Sequence, residues 1–191
     1  MTHKIKMSVA IMAHPKRAGL VPRLAQQART ARISMDDGCG LWANRERAEM
    51  MFDPQAQFHL VLQDDAILCD NFIERAEALL KEPDAVYSFY LGARKAHKFP
   101  KVESEIKTNW LSWGVAVCIP TKIIPHMMGW CSVQPSDVPD DTRIARYCKA
   151  KGISVIYPLP SIVNHRHDEQ SLVGNANSGG RKAYWFIGEQ P

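Results

Sequence analysis

The 191 residues of this chain predict an α/β fold with a mainly parallel central sheet, on three observations. Short apolar runs that read as strands alternate with helix-like segments along most of the length. Runs such as 6–13 and 58–63 are largely apolar, as buried strands are. Charged residues gather just past these runs, at the strand ends where open α/β sheets bind ligands.

"KMSVAIMA" (6–13) reads as the first buried strand. "GLVPRLAQQART" (19–30) reads as a helix with Pro22 tolerated in its first turn. "RISM" (32–35) is a short second strand ending at Asp36 and Asp37, and "LWANRERAEMMF" (41–52) is good helix material. "FHLVLQ" (58–63) is a third strand running into Asp64 and Asp65. "NFIERAEALLKE" (71–82) is a helix in which Asn71 and Glu74 have capping-box spacing. "AVYSFYLG" (85–92) and "WGVAVCIP" (113–120) are the fourth and fifth strands. "DDTRIARYCKAKG" (140–152) is a helix that opens on Asp140 and Asp141 and stops at Gly152. "ISVIYPLP" (153–160) is a sixth strand, and the chain from about Ser161 reads as irregular. With no linker or repeat in view, we expect one domain over 1–191.

An apolar fraction of 46% with 23% charged residues is ordinary for a globular protein. No apolar run approaches the length of a membrane span. The basic-then-apolar start ends in His14-Pro15-Lys16-Arg17 rather than a small-residue cleavage site, so we expect a cytoplasmic protein without a membrane partner. The five cysteines form no C-x-x-C pair, which argues for reduced, mostly buried thiols. A net charge of +4 permits an anionic partner without demanding one, and the basic stretch 93–107 is either a solvated loop or a phosphate contact.

Asp64 and Asp65 pose the sharpest question, because adjacent carboxylates repel unless water, a cation or a basic partner compensates them. A helix cap does not account for them, since the next helix starts some residues later with Asp70 or Asn71 at hand. A hard divalent cation with open positions for diphosphate oxygens would. His165 and His167 follow the last strand; either is surface polarity, unless the fold brings one beside Asp65, where imidazole and carboxylate together suit manganese. Asp140 and Asp141 fit a helix N-terminus, and equally a general base for an acceptor hydroxyl. Asn44, Arg45 and Arg47 offer donors to phosphate or ribose, or else form an exposed helix face. Phosphate-loop, dinucleotide and α/β-hydrolase signatures are missing from the sequence.

Taken in order, these segments resemble the GT-A fold glycosyltransferases, and among them small bacteriophage-encoded ones. "VLQDDAILCDNF" is similar to their D-x-D-type motif, and "GLWANRERAEM" to the segment before it. "NWLSWGVAVCIP" is similar to their Trp-Gly strand, and "DDTRIARYCKAKGISVIYPLPSIVNHRHDEQSLVGN" to their closing segment. The resemblance spans about residues 8–175 and implies a single GT-A-like, Rossmann-related domain. It implies transfer of a sugar from a nucleotide-sugar donor, UDP-glucose or similar, to a hydroxyl acceptor, with a hydroxymethylated base in phage DNA as one candidate.

Carried over by residue, Asp65 and His165 would hold Mn2+ or Mg2+, and Asp64 would touch the ribose or donor sugar. Asp36 or Asp37 would read the base or ribose, with His14 and Arg17 near the nucleotide. Asn44, Arg45, Gln63, Trp113 and Gly114 complete the expected donor site, and Asp141 or Asp140 would be the acceptor base. Gln63 departs from the motif, which often has an acid there, so the site carries less negative charge toward a metal. The competing readings are a metal-dependent nucleotidyltransferase or phosphohydrolase using the same carboxylates, and a non-catalytic nucleic-acid-binding module using Arg45, Arg47 and the 93–107 loop.

Overall fold

β1 (Met7–Ala13) and β3 (Phe58–Gln63) pair in parallel at the centre of the molecule, with β2 (Ile33–Met35) parallel to β1 on its other side. Alternate residues of these strands serve two different cores, which is why the runs show no polar alternation. Val9, Ile11, Leu60 and Leu62 pack on one face with Leu24 of α1 (Val21–Gln27) and Phe72 and Ala76 of α3 (Phe72–Leu79). Met12 and Val61 face the other way, onto Ala48 of α2 (Leu41–Met50). The structure, a computed structural model, describes residues 7–96, 104–166 and 181–188.

The remaining elements are β4 (Ala66–Leu68), β5 (Val86–Ser88), α4 (Ala93–Ala96), β6 (Glu105–Thr108), β7 (Ala116–Pro120), α5 (Ile124–Ser132), α6 (Asp140–Lys151), β8 (Val155–Pro158) and β9 (Val163–His165). The seven-stranded sheet has the order β2-β1-β3-β7-β5-β8-β6. β7 is antiparallel to β3 and β5, and β6 to β8, so five of the seven strands run in one direction. The carboxyl ends of β1, β2, β3 and β5 therefore share one edge of the sheet with the amino end of β7. His14, Asp36, Asp64 and Trp113-Gly114 all fall on that edge. α5 and α6 cover the second face through Met127, Ile144 and Tyr147.

Several local expectations change. The capping box at Asn71 and Glu74 does not form: Asn71 is in the left-handed region, with φ 53°, and its side chain makes no cap hydrogen bond. That backbone turns Asn71 away from the cap geometry the spacing requires. The strand expected over 85–92 is regular only to Ser88, after which the Phe89 carbonyl accepts from Val163 N–H. The segment past Ser161 is not wholly irregular, because β9 pairs antiparallel with β4 in a small second sheet. α5 is an unexpected helix, interrupted in sequence by Pro125 and Gly129, whose Ile124, Met127, Met128 and Cys131 form a buried i, i+3, i+4, i+7 stripe.

Gly152 stops α6 as expected, at φ 65°. Cys69, Cys118, Cys131 and Cys148 are free and buried, and Cys39 is free and exposed. Among the described residues no helix is long and apolar enough to cross a membrane. Residues 97–103 of the basic stretch, and His167, lie outside the described residues.

Candidate functional site

A cleft of about 830 Å³ opens along the shared strand edge. Twelve of the fourteen residues that the resemblance carries over to the site line it: His14, Arg17, Asp36, Asn44, Gln63, Asp64, Asp65, Trp113, Gly114, Asp140, Asp141 and His165. Asp37 and Arg45 do not. The twelve lining residues come from seven separate stretches of chain, and the sheet topology is what assembles them.

The repulsion between Asp64 and Asp65 is relieved by a basic partner. Arg17, in a 310 segment (Pro15–Leu20) kinked at Arg17 itself, folds in until it is only 8% exposed. Its Nη1 donates to Asp64 Oδ1 at 3.1 Å and to Asp65 Oδ2. Asp64 Oδ2 also accepts the His14 backbone N–H at 2.8 Å, which ties the end of β3 to the turn after β1. Burial pushes the Asp64 carboxyl above its ordinary range, against the pull of His14 N–H and Arg17. Arg17 was expected beside a nucleotide; in the protein it is first the counter-charge of the two acids.

Asp65 retains one open valence. Its Oδ1 is buried and has no hydrogen-bond partner among the described residues. The register of the small sheet sets Ala66 opposite His165, which brings His165 Nε2 to 3.3 Å from Asp65 Oδ2. His165 Nδ1 lies 2.6 Å from the Arg166 carbonyl, which only accepts, so Nδ1 carries the hydrogen. Burial lowers the His165 pKa and favours the neutral ring, leaving Nε2 bare. A bare imidazole nitrogen thus faces a carboxylate, while the other ring nitrogen is held by a backbone carbonyl, as metal-ligating histidines usually are. These two groups are of the donor types that suit a divalent cation, but they supply only two of the ligands one takes. Among the described residues no three His, Cys, Asp or Glu side chains converge as a metal site.

The neighbouring acids divide by a local turn. Asp36 Oδ1 accepts Gly38 N–H at 2.9 Å, and its Oδ2 stands 4.0 Å from His14 Nε2, inside the cleft. Asp37 points outward to Arg47, whose Nη1 and Nη2 each donate at 3.0 Å. Cys39 N–H and Arg47 together hold the Asp37 carboxyl below its usual value. Asp37 is therefore not a cleft residue, and Arg47 is engaged on the surface.

Asn44 lines the cleft with its amide already engaged. Nδ2 donates to the Ala13 carbonyl at 3.0 Å, and Oδ1 accepts from Ser34 Oγ at 2.6 Å. Arg45 corrects the expectation of a donor contact: it is fully buried beneath the cleft floor, donating to Gly114 O at 3.0 Å and to Glu49 Oε1 at 2.9 Å. Its Nη1 lies 3.8 Å from Asp140 Oδ2. Asp140 is 4% exposed and Asp141 is partly exposed, both in the first turn of α6 after Pro139.

Two glycines admit this arrangement. A Cβ on Gly114 would lie 3.1 Å from Asp140 Oδ2 and 3.4 Å from Gln63 Nε2. A Cβ on Gly92 would lie 2.8 Å from the Trp113 indole, which forms one cleft wall and stands edge-on to Tyr90 and Tyr157. Gly92→Ala should displace that indole, shift the Trp113 N–H resonance and lower stability by about 1–3 kcal/mol. An unmoved resonance would show that the wall does not depend on the contact.

Arg94, from the basic stretch 93–107 weighed as a phosphate contact, also lines the cleft, as do Tyr90 and Arg181, which were not anticipated. Tyr90 lies just past β5, so the strand-end rule that marked Asp64 could have marked it. Arg181 had no sequence signal. It arrives because the Ala183–Tyr184 segment pairs with Leu91 and Gly92, and the Tyr90 hydroxyl donates to its carbonyl at 2.5 Å.

No protein family and no curated protein matches this chain. Among solved structures, the crystal structure of A197 from STIV is similar over 84% of this chain and 86% of its own, with 12% identity and a TM-score of 0.52. A Bacillus anthracis protein assigned as a glucose-1-phosphate thymidylyltransferase, solved in complex with a sucrose, aligns over 83% of this chain and 89% of its own, with 10% identity and a TM-score of 0.49. The first of these likenesses shows a shared α/β fold, with the mostly parallel, helix-flanked sheet described above.

Proposed function

We propose that the chain is a metal-dependent glycosyltransferase that moves a sugar from a nucleotide-sugar donor to a hydroxyl acceptor. The observation that carries this reading is the convergence of the resemblance-bearing segments, scattered from His14 to His165, on one cleft of about 830 Å³. A random set of polar residues would be spread over the surface. The volume lies within the range of small-molecule sites.

Asp65 and His165 would hold the divalent cation, Mn2+ or Mg2+. When bound, it supplies Lewis-acid neutralisation of the charge growing on the leaving diphosphate. Arg17 keeps Asp64 and Asp65 poised at the β3 end in the absence of ligand. Asp36, with His14 beside it, offers acceptors at the β2 end suited to ribose hydroxyls. Asp140 or Asp141, on the facing helix start, would take the proton from the acceptor hydroxyl. Trp113 and Tyr90 give the sugar an aromatic wall. For the acceptor, a hydroxymethylated base in DNA is tested against glycan and protein hydroxyls.

The test is a thermal-shift panel of UDP-, GDP- and TDP-sugars, each with and without manganese. A ligand at about 100 times its dissociation constant adds roughly 2.7 kcal/mol, or about 5–10 °C for a chain of this size. Manganese-dependent stabilisation by a sugar nucleotide, with release of the nucleoside diphosphate on adding acceptor, is the expected result. Release of pyrophosphate from a nucleoside triphosphate plus sugar phosphate would replace the reading with nucleotidyl transfer. No stabilisation by any sugar nucleotide would overturn it.

A further inference from the structure

Beneath the cleft floor, one guanidinium serves two buried acids. Arg45 and Glu49 sit one turn apart on α2, both with no solvent exposure, and Asp140 reaches the same guanidinium from α6. Arg45 Nε donates to Glu49 Oε1 at 2.9 Å, with Nη2 at 2.7 Å from the same oxygen. Nη1 donates to the Gly114 carbonyl and stands 3.8 Å from Asp140 Oδ2. Glu49 Oε2 and Asp140 Oδ2 are both buried without a hydrogen-bond partner among the described residues. Asp140 lines the cleft and Glu49 does not.

We propose that Glu49 is a positioning residue for Asp140: through Arg45 it sets how much positive charge the cleft carboxylate faces. When Glu49 is ionised, the guanidinium is divided between two anions. When Glu49 is protonated, Asp140 has the cation to itself. The arrangement makes proton uptake at a residue with no access to ligand alter the charge at the cleft floor, whichever reaction the cleft performs.

The surroundings leave Arg45 as the group that decides. His59, on β3, has its ring nitrogens on Ser8 Oγ and the Ala48 carbonyl, and burial pushes its pKa down to about 4, so it is neutral near neutral pH. Cys118 on β7 and Cys131 on α5 are buried thiols pushed upward, Cys131 to about 12. Arg143 on α6 donates to the carbonyls of Val138, Cys131 and Pro135. β1 and β2 present Met12 and Ser34, which carry no charge. Among the described residues, Arg45 alone forms an ion pair with either acid.

Burial raises the Glu49 pKa to about 7, opposed by Arg45 and reinforced by the charge of Asp140. The native state therefore holds the Glu49 proton more tightly than the unfolded chain does. Its contribution to stability is complete at acidic pH and is lost as pH rises from the ordinary carboxylate value through about 7.

The experiment is a residue-resolved carboxyl carbon NMR titration of the whole chain, from mildly acidic to mildly alkaline pH, in the native sequence and in Glu49→Gln. The Asp140 signal should inflect together with that of Glu49, and the inflection should vanish in Glu49→Gln. In Asp140→Asn the Glu49 midpoint should fall by roughly one unit, because a like charge is gone and Arg45 is undivided. An Asp140 signal that is flat through the Glu49 titration overturns the proposal, as does an inflection that survives Glu49→Gln. A merely structural Glu49 would change stability in that variant without altering the pH response of the Asp140 signal. Should either variant fail to fold, comparing the two signals in the native chain still decides.

Discussion

Replacing Arg17 by methionine will lower the stability of the protein by about 3–5 kcal/mol, the usual cost of removing one partner from a buried ion pair. Methionine preserves much of the packing length, so the loss measures charge. Arg17 is 8% exposed, while Asp64 and Asp65 are 4% and 2% exposed, and the substitution leaves two adjacent carboxylates buried without a counter-charge. The deficit depends on pH with a definite sign. Burial already raises Asp64, so its share of stability is full below the ordinary carboxylate value and is lost as pH rises through the raised one. Without Arg17 that rise grows, and the variant should be much weaker at neutral pH than at mildly acidic pH. Urea denaturation at the two pH values reads both effects, and the melting temperature at neutral pH should fall by about 6–20 °C.

The same variant tests the metal reading. With Arg17 gone, a divalent cation at Asp65 has no competitor for Oδ2, so millimolar manganese should restore part of the stability by mass action. Adding Asp65→Asn to Arg17→Met should abolish that recovery. A loss below about 1 kcal/mol would place the pair among ordinary surface ion pairs. Recovery that ignores Asp65 would remove the cation from this site.

How much of this was legible in the sequence depended on whether the signal was local. Phe58–Gln63 was read residue for residue, because a six-residue run buried on both faces has no other interpretation at that length. β4, β6 and β9 are three or four residues long and exist only through distant partners, so nothing in "AIL" or "VNH" announces a strand. The placement of His165 beside Asp65 follows from that unannounced pairing. It was reached from the resemblance and could not have been reached from spacing.

Within the motifs, which of two similar residues turns inward was decided by backbone geometry. "HPKR" offers two cations, and a kink in the 310 segment buries Arg17 while Lys16 stays exposed. Asp36 and Asp37 are chemically alike until the turn at Gly38 sends one into the cleft and the other to Arg47. α2 inverts the usual rule, since its buried face carries Asn44, Arg45 and Glu49 with Ala48. Hydrophobic periodicity assigns such charges to solvent. The buried Arg45–Glu49–Asp140 cluster was therefore invisible, although all three residues stand in segments that drew attention for other reasons.

The second large effect is on turnover. Asp65→Asn should reduce turnover of whichever sugar nucleotide stabilises the protein by about a thousandfold, the equivalent of several kcal/mol of lost charge stabilisation at the leaving group. Asparagine keeps the shape, and Arg17 keeps Asp64 as its partner, so the fold should survive with a cost no greater than about 1–3 kcal/mol for the mismatched hydrogen bond. Manganese affinity, measured by calorimetry, should fall in parallel. Asp64→Asn is the informative contrast. Asp64 accepts from His14 N–H as well as from Arg17, so its loss loosens the junction of β1 and β3 and should show first as lost stability. The two adjacent aspartates thus separate into a residue that chiefly holds the edge of the sheet and one that lines the cleft with an oxygen unpaired among the described residues. Unchanged turnover in a folded Asp65→Asn variant would place the chemistry elsewhere in the cleft, with Asp140 and Asp141 the next residues to replace.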